Sequence, residues 1–165
     1  MGLFDIGKPK ITTEQWLRFA LDQLFSEKWT HTQKKFYVWT KENDIANELS
    51  EQSFVEEIFG AQLQLLALVC CRINYNLGMD VVFFIDEYLK KLSHNTAEKV
   101  QEAYDYSHRK TSGFSDISTY TLLANACSER LNIKSSIFIE RLELEFAALA
   151  ERWFVDAGKY KFIAI

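Results

Sequence analysis

Ala61-Gln62-Leu63-Gln64-Leu65-Leu66-Ala67-Leu68-Val69-Cys70-Cys71 is the stretch on which the reading of this chain turns. Only Gln62 and Gln64 are polar in it, so a helix through it is apolar around most of its circumference and must be enclosed by other elements. Upstream, Ser53 and Glu56 have capping-box spacing, and Phe54, Ile58, Phe59, Leu65, Leu66, Val69, Cys70 and Ile73 continue the apolar pattern. The spacing predicts a central helix over 53–74. Gly60 inside it costs about 1 kcal/mol of helix stability, which implies either close helix packing or a break at that point.

The segments on either side are read as helices because breakers are scarce. No proline follows Pro9, and the only glycines beyond it are Gly60, Gly78, Gly113 and Gly158. Helix interiors need their N–H groups, and this composition leaves them intact. The expected fold is therefore all-α, an irregular bundle of about five to seven helices packed around the central apolar helix. The 165 residues, 48% of them hydrophobic, are enough for one core without staples. We read 1–165 as a single helical domain, with 1–11 as an N-terminal arm carrying the apolar residues Leu3, Phe4 and Ile6.

A first helix begins at Thr12 or Thr13, where Thr12 and Gln15 have capping-box spacing, and Trp16, Leu17, Ala20, Leu21, Leu24 and Phe25 share one face. The pattern then weakens. Phe36-Tyr37-Val38-Trp39 fits a second helix over 32–39, ended by Lys41-Glu42-Asn43-Asp44, with a short strand as the alternative because aromatic and β-branched residues suit a pleated surface. After the central helix, Gly78 reads as a separator and Asp80 as an N-cap. Val81, Val82, Ile85, Tyr88, Leu89 and Leu92 then form a helical stripe. A polar helix over 95–107 is followed by His108-Arg109-Lys110-Thr111-Ser112-Gly113-Phe114-Ser115, which reads as a loop. Two helices, over 116–131 and from Lys134 or Ser135 to Gly158, lead to an apolar tail expected to dock on the domain.

Charge and cysteines narrow the classes of function. Nineteen basic and twenty-three acidic residues leave an acidic chain of formal charge −4 with interspersed signs, which argues against nonspecific nucleic-acid binding. Cys70, Cys71 and Cys127 have no disulfide or zinc spacing and read as reduced thiols of a cytoplasmic protein. The N-terminus lacks the apolar core of a signal peptide, and the longest uninterrupted apolar run is too short to suggest a membrane span. No phosphate loop, dinucleotide fingerprint, zinc or calcium motif, or paired Glu-x-x-His segment occurs, so no cofactor and no metal are expected.

Two polar clusters stand out as candidate ligand or anion sites. Around the end of the polar helix lie Glu102, Asp105, Tyr106, His108, Arg109 and Lys110, with Asp105 and Arg109 one turn apart. The plainer alternative is a solvated helix end whose cations offset the dipole. Arg72, Asn74 and Asn76 follow the most apolar helix, where polar groups need partners that are either a ligand or a neighbouring chain group. Surplus aromatics supply candidate interaction residues: Trp29, Tyr37 and Trp39, together with the arm residues Leu3, Phe4 and Ile6. The favoured reading is a helical protein–protein interaction or accessory module without catalytic activity, with a protein partner or a homodimer. The alternative is a small-molecule-binding protein or enzyme with an aromatic interhelical pocket reached by Arg72 or by His108 and Arg109. Nucleic-acid binding ranks third, since the helix over 116–131 carries a single basic residue, Arg130.

Overall fold

The computed structural model describes residues 7–113 and 116–163, the side chains of 27–30 excepted. In chain order the elements are β1 (Lys10–Thr12), α1 (Thr13–Leu24), α2 (Glu27–Glu42), α3 (Glu51–Ile73), α4 (Tyr75–Leu89), α5 (His94–Thr111), α6 (Thr119–Arg130), α7 (Ser136–Ala157) and β2 (Lys161–Ile163). The fold is an all-α bundle of seven helices among the described residues, arranged around α3. Helices α2, α4, α5, α6 and α7 all pack on α3, which accounts for an apolar circumference that one or two neighbours would not bury. By length and composition α3 would also suit a membrane span, which counting uninterrupted apolar residues had missed. Its most apolar window is 83% buried inside the bundle, as a core helix requires.

Contacts along α3 give the directions of its neighbours. Gln52 meets Thr96, Gly60 meets Ala103 and Gln64 meets Thr111, so α5 runs the same way as α3. Phe138 packs on Phe54 near the start of both helices, and Ile58 and Gln62 share a cavity with Leu142 and Phe146 further along, so α7 is parallel to α3 as well. Helix α6 runs opposite, with Arg130 at Glu57 and Thr119 at Arg72. So does α2, where Gln33 meets Gln62 and Tyr37 meets Phe54.

Several boundaries differ from the sequence expectations, each for a local reason. The capping box of Thr12 and Gln15 forms as expected. The segment over 32–39 is helical, within the longer α2, and the strand alternative is wrong. Its Phe36 ring stacks on Trp39 one turn on and also on Phe138 of α7, a contact set that helical spacing provides. Helix α3 begins at Glu51, because Ser50 rather than Ser53 is the N-cap and its hydroxyl accepts from the Ser53 N–H. Asn74 both ends α3 and caps α4, leaving Gly78 inside α4. A Cβ at Gly78 would lie 2.9 Å from Cys71 Sγ and 3.0 Å from Cys71 Cα, so this glycine permits close packing of α4 on α3 instead of separating them. Asp80 caps nothing; its carboxylate accepts from Thr13 Oγ1 at 3.1 Å. Helix α5 extends to Thr111, taking His108, Arg109 and Lys110 into its last turn and out of the expected loop.

Two helices close on a left-handed residue that is not glycine. Asp44 after α2 and Asn132 after α6 adopt left-handed φ of 55° and 54°. At each, paired backbone bonds close the terminus: Asp44 N to Lys41 O with Ile45 N to Thr40 O, and Asn132 N to Glu129 O with Ile133 N to Ser128 O. The tail docks as expected, but as a strand that was not foreseen. Lys10, Ile11 and Thr12 pair in parallel with Lys161, Phe162 and Ile163, joining the two ends of the domain, and Phe162 lies edge-on to Trp16 at 6.2 Å. Three-residue strands carry too little alternation to be legible in sequence.

Candidate functional site

Three places in the bundle combine chemistry with access: a polar network at the α3, α5 and α6 contact, a cavity between α2, α3 and α7, and the outer face of α4.

The polar network centres on the Tyr106 ring. Lys110 Nζ lies 5.3 Å from its centroid, Arg130 5.5 Å and Arg109 5.6 Å, while the phenol donates to Glu129 Oε2 at 2.5 Å. Lys110 pairs with the same carboxylate at 2.6 Å. This pairing holds Glu129 below the usual carboxylate range and raises Lys110. Arg130 bridges the buried Glu57 at 2.7 Å and Glu102 at 3.6 Å. Burial pushes the Glu57 carboxyl up, and the Arg130 bond offsets only part of that shift; Glu57 Oε1 is buried with no hydrogen-bond partner. Lys99 also pairs with Glu102, at 3.6 Å, so Lys99, Lys110 and Arg130 are each engaged by a carboxylate of the network while Arg109 lies over the Tyr106 ring. The network works as a clamp between α3, α5 and α6.

The residues singled out from sequence are distributed around this network, not gathered in it. Asp105 accepts from Gln101 at 2.8 Å and forms no ion pair with Arg109 among the described residues. His108 stacks on Tyr104, with centroids 6.5 Å apart. Arg72 is exposed at the end of α3 and donates to Thr119 Oγ1 at 3.4 Å, and Asn74 accepts the Asn76 N–H as the cap of α4. Neither Arg72 nor Asn76 lines the cavity between α2, α3 and α7. Tyr37 is half-buried against Phe54 and donates its hydroxyl to Leu49 O at 2.7 Å, so its polar end already has a partner. Leu3, Phe4, Ile6 and the Trp29 side chain lie outside the described residues.

Trp39 belongs to the second place. A cavity of about 260 Å³ opens between α2, α3 and α7, walled by Phe36, Trp39, Ile58, Leu142, Phe146 and Leu149. Across it, the buried Gln33 Nε2 donates to Gln62 Oε1 at 2.7 Å. Thr32, Lys35, Arg141 and Glu145 complete the lining. Arg141 pairs with Glu145 at 3.2 Å and lies 5.9 Å from the Trp39 ring centroid. The alternative reading from sequence has an aromatic interhelical pocket reached by Arg72 or by His108 and Arg109; the cations lining this cavity are Lys35 and Arg141. Gln62 was visible as one of two polar residues in the apolar run. Its buried partner, Gln33, lies 29 positions away and no local pattern marks it.

The third place was missed by sequence reading. Tyr75, Met79, Val82 and Phe83 fall at helical spacing on the outer face of α4 and are 77%, 56%, 53% and 75% exposed. Leu77, Val81, Ile85 and Tyr88 occupy its buried face. The signal was there: a segment apolar on both faces indicates a helix with two partners, and the described residues supply only one side. Among the thiols, Cys70 and Cys127 are buried and pushed up by that burial, while Cys71 is exposed. No group of three metal-ligating side chains converges among the described residues. Comparisons with protein-family models, with curated proteins and with solved structures return no match.

Proposed function

We propose that this chain is a helical interaction module without chemistry of its own, and that the outer face of α4 docks a second copy of the same chain. The observation that carries the reading is the exposure of Tyr75, Met79, Val82 and Phe83 on one helix face. Four side chains of this size at this exposure offer on the order of 600 Å² of apolar surface, as large as the biggest patch on an ordinary monomer. Together with rim residues such as Asn76 and Asp86, the face approaches the roughly 800 Å² per partner of a stable interface.

Its layout suits a twofold axis. Met79 is central, with Tyr75 and Phe83 equally spaced on either side along the chain. Two α4 helices crossing antiparallel at Met79 place Tyr75 of each copy against Phe83 of the other. Self-complementary twofold contacts of this kind are the commonest form of oligomer.

Sedimentation velocity across the micromolar range tests the reading. The expected result is a reversible dimer that Phe83→Asp converts to monomer, with a thermal midpoint that matches the wild type's at concentrations below the dimer Kd, since an exposed position contributes little to the monomer's core. A wild-type chain that stays monomeric throughout, or a dimer indifferent to Phe83→Asp, would overturn it.

A further inference from the structure

We infer that the cavity between α2, α3 and α7 is a binding site for a small amphipathic carboxylate, a molecule with an aromatic or branched aliphatic body and one anionic head. The inference does not rest on the α4 reading, because α4 packs on α1, α3 and α5 while the cavity is bounded by α2 and α7. At about 260 Å³ the space lies just under the roughly 300 to 1,000 Å³ of ordinary ligand pockets, which sets the guest at the scale of a single ring and a short chain.

The walls define the body of that guest. Phe36, Trp39 and Phe146 present aromatic surface, with Ile58, Leu142 and Leu149 completing an apolar lining. The Trp39 and Phe36 rings are stacked at 5.5 Å, and Phe36 stacks in turn on Phe138 at 5.8 Å, so this wall is held rigid before any ligand arrives. Both glutamines line the cavity, and the bond from Gln33 Nε2 to Gln62 Oε1 uses one donor and one acceptor of the pair, which leaves the Gln33 carbonyl and the Gln62 amide donors with capacity for a polar atom of the guest.

The charged residues define the head. Arg141 is paired with Glu145, whereas Lys35 has no carboxylate within ion-pair distance among the described residues. The lining therefore carries one net positive charge in a chain that is acidic overall. A monoanion satisfies it; a dianion or a cation does not.

Phenylbutyrate and its uncharged amide are suitable probes, read by the NMR signal of the Trp39 indole N–H and by tryptophan fluorescence. Phenylbutyrate is expected to shift the Trp39 signal saturably, and the amide to bind roughly fivefold more weakly. Lys35→Glu, a change at an exposed position, should weaken phenylbutyrate by a similar factor, and Leu149→Phe, which fills the space, should abolish the shift while the melting transition persists. Absence of a saturable Trp39 shift in the wild-type chain would overturn the site. Equal binding of acid and amide, or equal binding by Lys35→Glu, would overturn the assignment of a carboxylate. Because the readout is Trp39, it is the same in the Phe83→Asp variant, and the dimer and the ligand site fail separately.

Discussion

Helix α3 meets α5 and α7 in opposite ways. Towards α5 it presents Gly60, where an added Cβ would lie 2.5 Å from Ala103 Cβ and 2.7 Å from Val100 O, so the two backbones touch with no room for a methyl group. Towards α2 and α7 it presents Ile58 and Gln62, the neighbours answer with Phe36, Trp39 and Phe146, and about 260 Å³ stays unfilled. Small residues let helices close on each other through their backbones, whereas bulky rings hold them apart and their flat shapes leave space between. One side of the central helix is thus packed backbone to backbone, and the other leaves a cavity between rings.

The sharpest way to break this contrast is Gly60→Ala. Alanine favours a helix, yet here its methyl group collides with a backbone carbonyl that cannot rotate away. We expect a loss of about 2 to 3 kcal/mol in urea denaturation, the opposite sign to the propensity change. Ala103→Gly in the same chain removes the nearest clash but not Val100 O, so the double variant should recover part of the loss. Full tolerance of Gly60→Ala would mean that α3 and α5 are not in backbone contact.

One turn earlier on α3, Glu57 supplies a second measurement. Truncating Arg130 to Ala leaves a buried carboxylate unpaired and should cost about 2 kcal/mol near neutral pH. Burial raises the Glu57 pKa above its ordinary 4.5, so over that window the folded chain holds a proton that the unfolded chain has released. Its contribution is fully present below pH 4.5 and is lost as the pH climbs through the raised value. The wild type should therefore lose stability relative to Glu57→Gln across that rise, read from melting midpoints at successive pH values. A difference independent of pH would place the Glu57 carboxyl in water.

The smallest effect belongs to the open side. Leu149→Phe adds volume where the cavity can receive it and should change stability by less than about 1 kcal/mol by the same denaturation assay. A penalty as large as that of Gly60→Ala would erase the distinction between the two sides.

Much of the helical skeleton was legible because it depends on neighbours three and four positions apart. Thr12 with Gln15, the stripe from Trp16 to Leu24 and the apolar run of α3 are all local patterns. Boundaries proved harder where two caps compete, as Ser50 and Ser53 do. Gly78 was misread because a glycine that breaks a helix and one that admits a neighbouring helix look alike until Cys71 is seen beside it. Candidate sites fared unevenly for a related reason. Trp39 was marked as an aromatic of interest, but its companions Phe146 and Arg141 lie on α7, a hundred positions away, and nothing local connects them.

What the residues determined by themselves was that the chain folds as rods and which of them must lie in the middle, since periodicity and breaker content act within a turn or two of the chain. Only the tertiary structure decided which faces meet backbone to backbone, where the rings leave a void and which apolar stripe on α4 goes uncovered. Those depend on the shapes and distances of side chains brought together from remote positions, and burial is a property of the whole arrangement that no single segment carries.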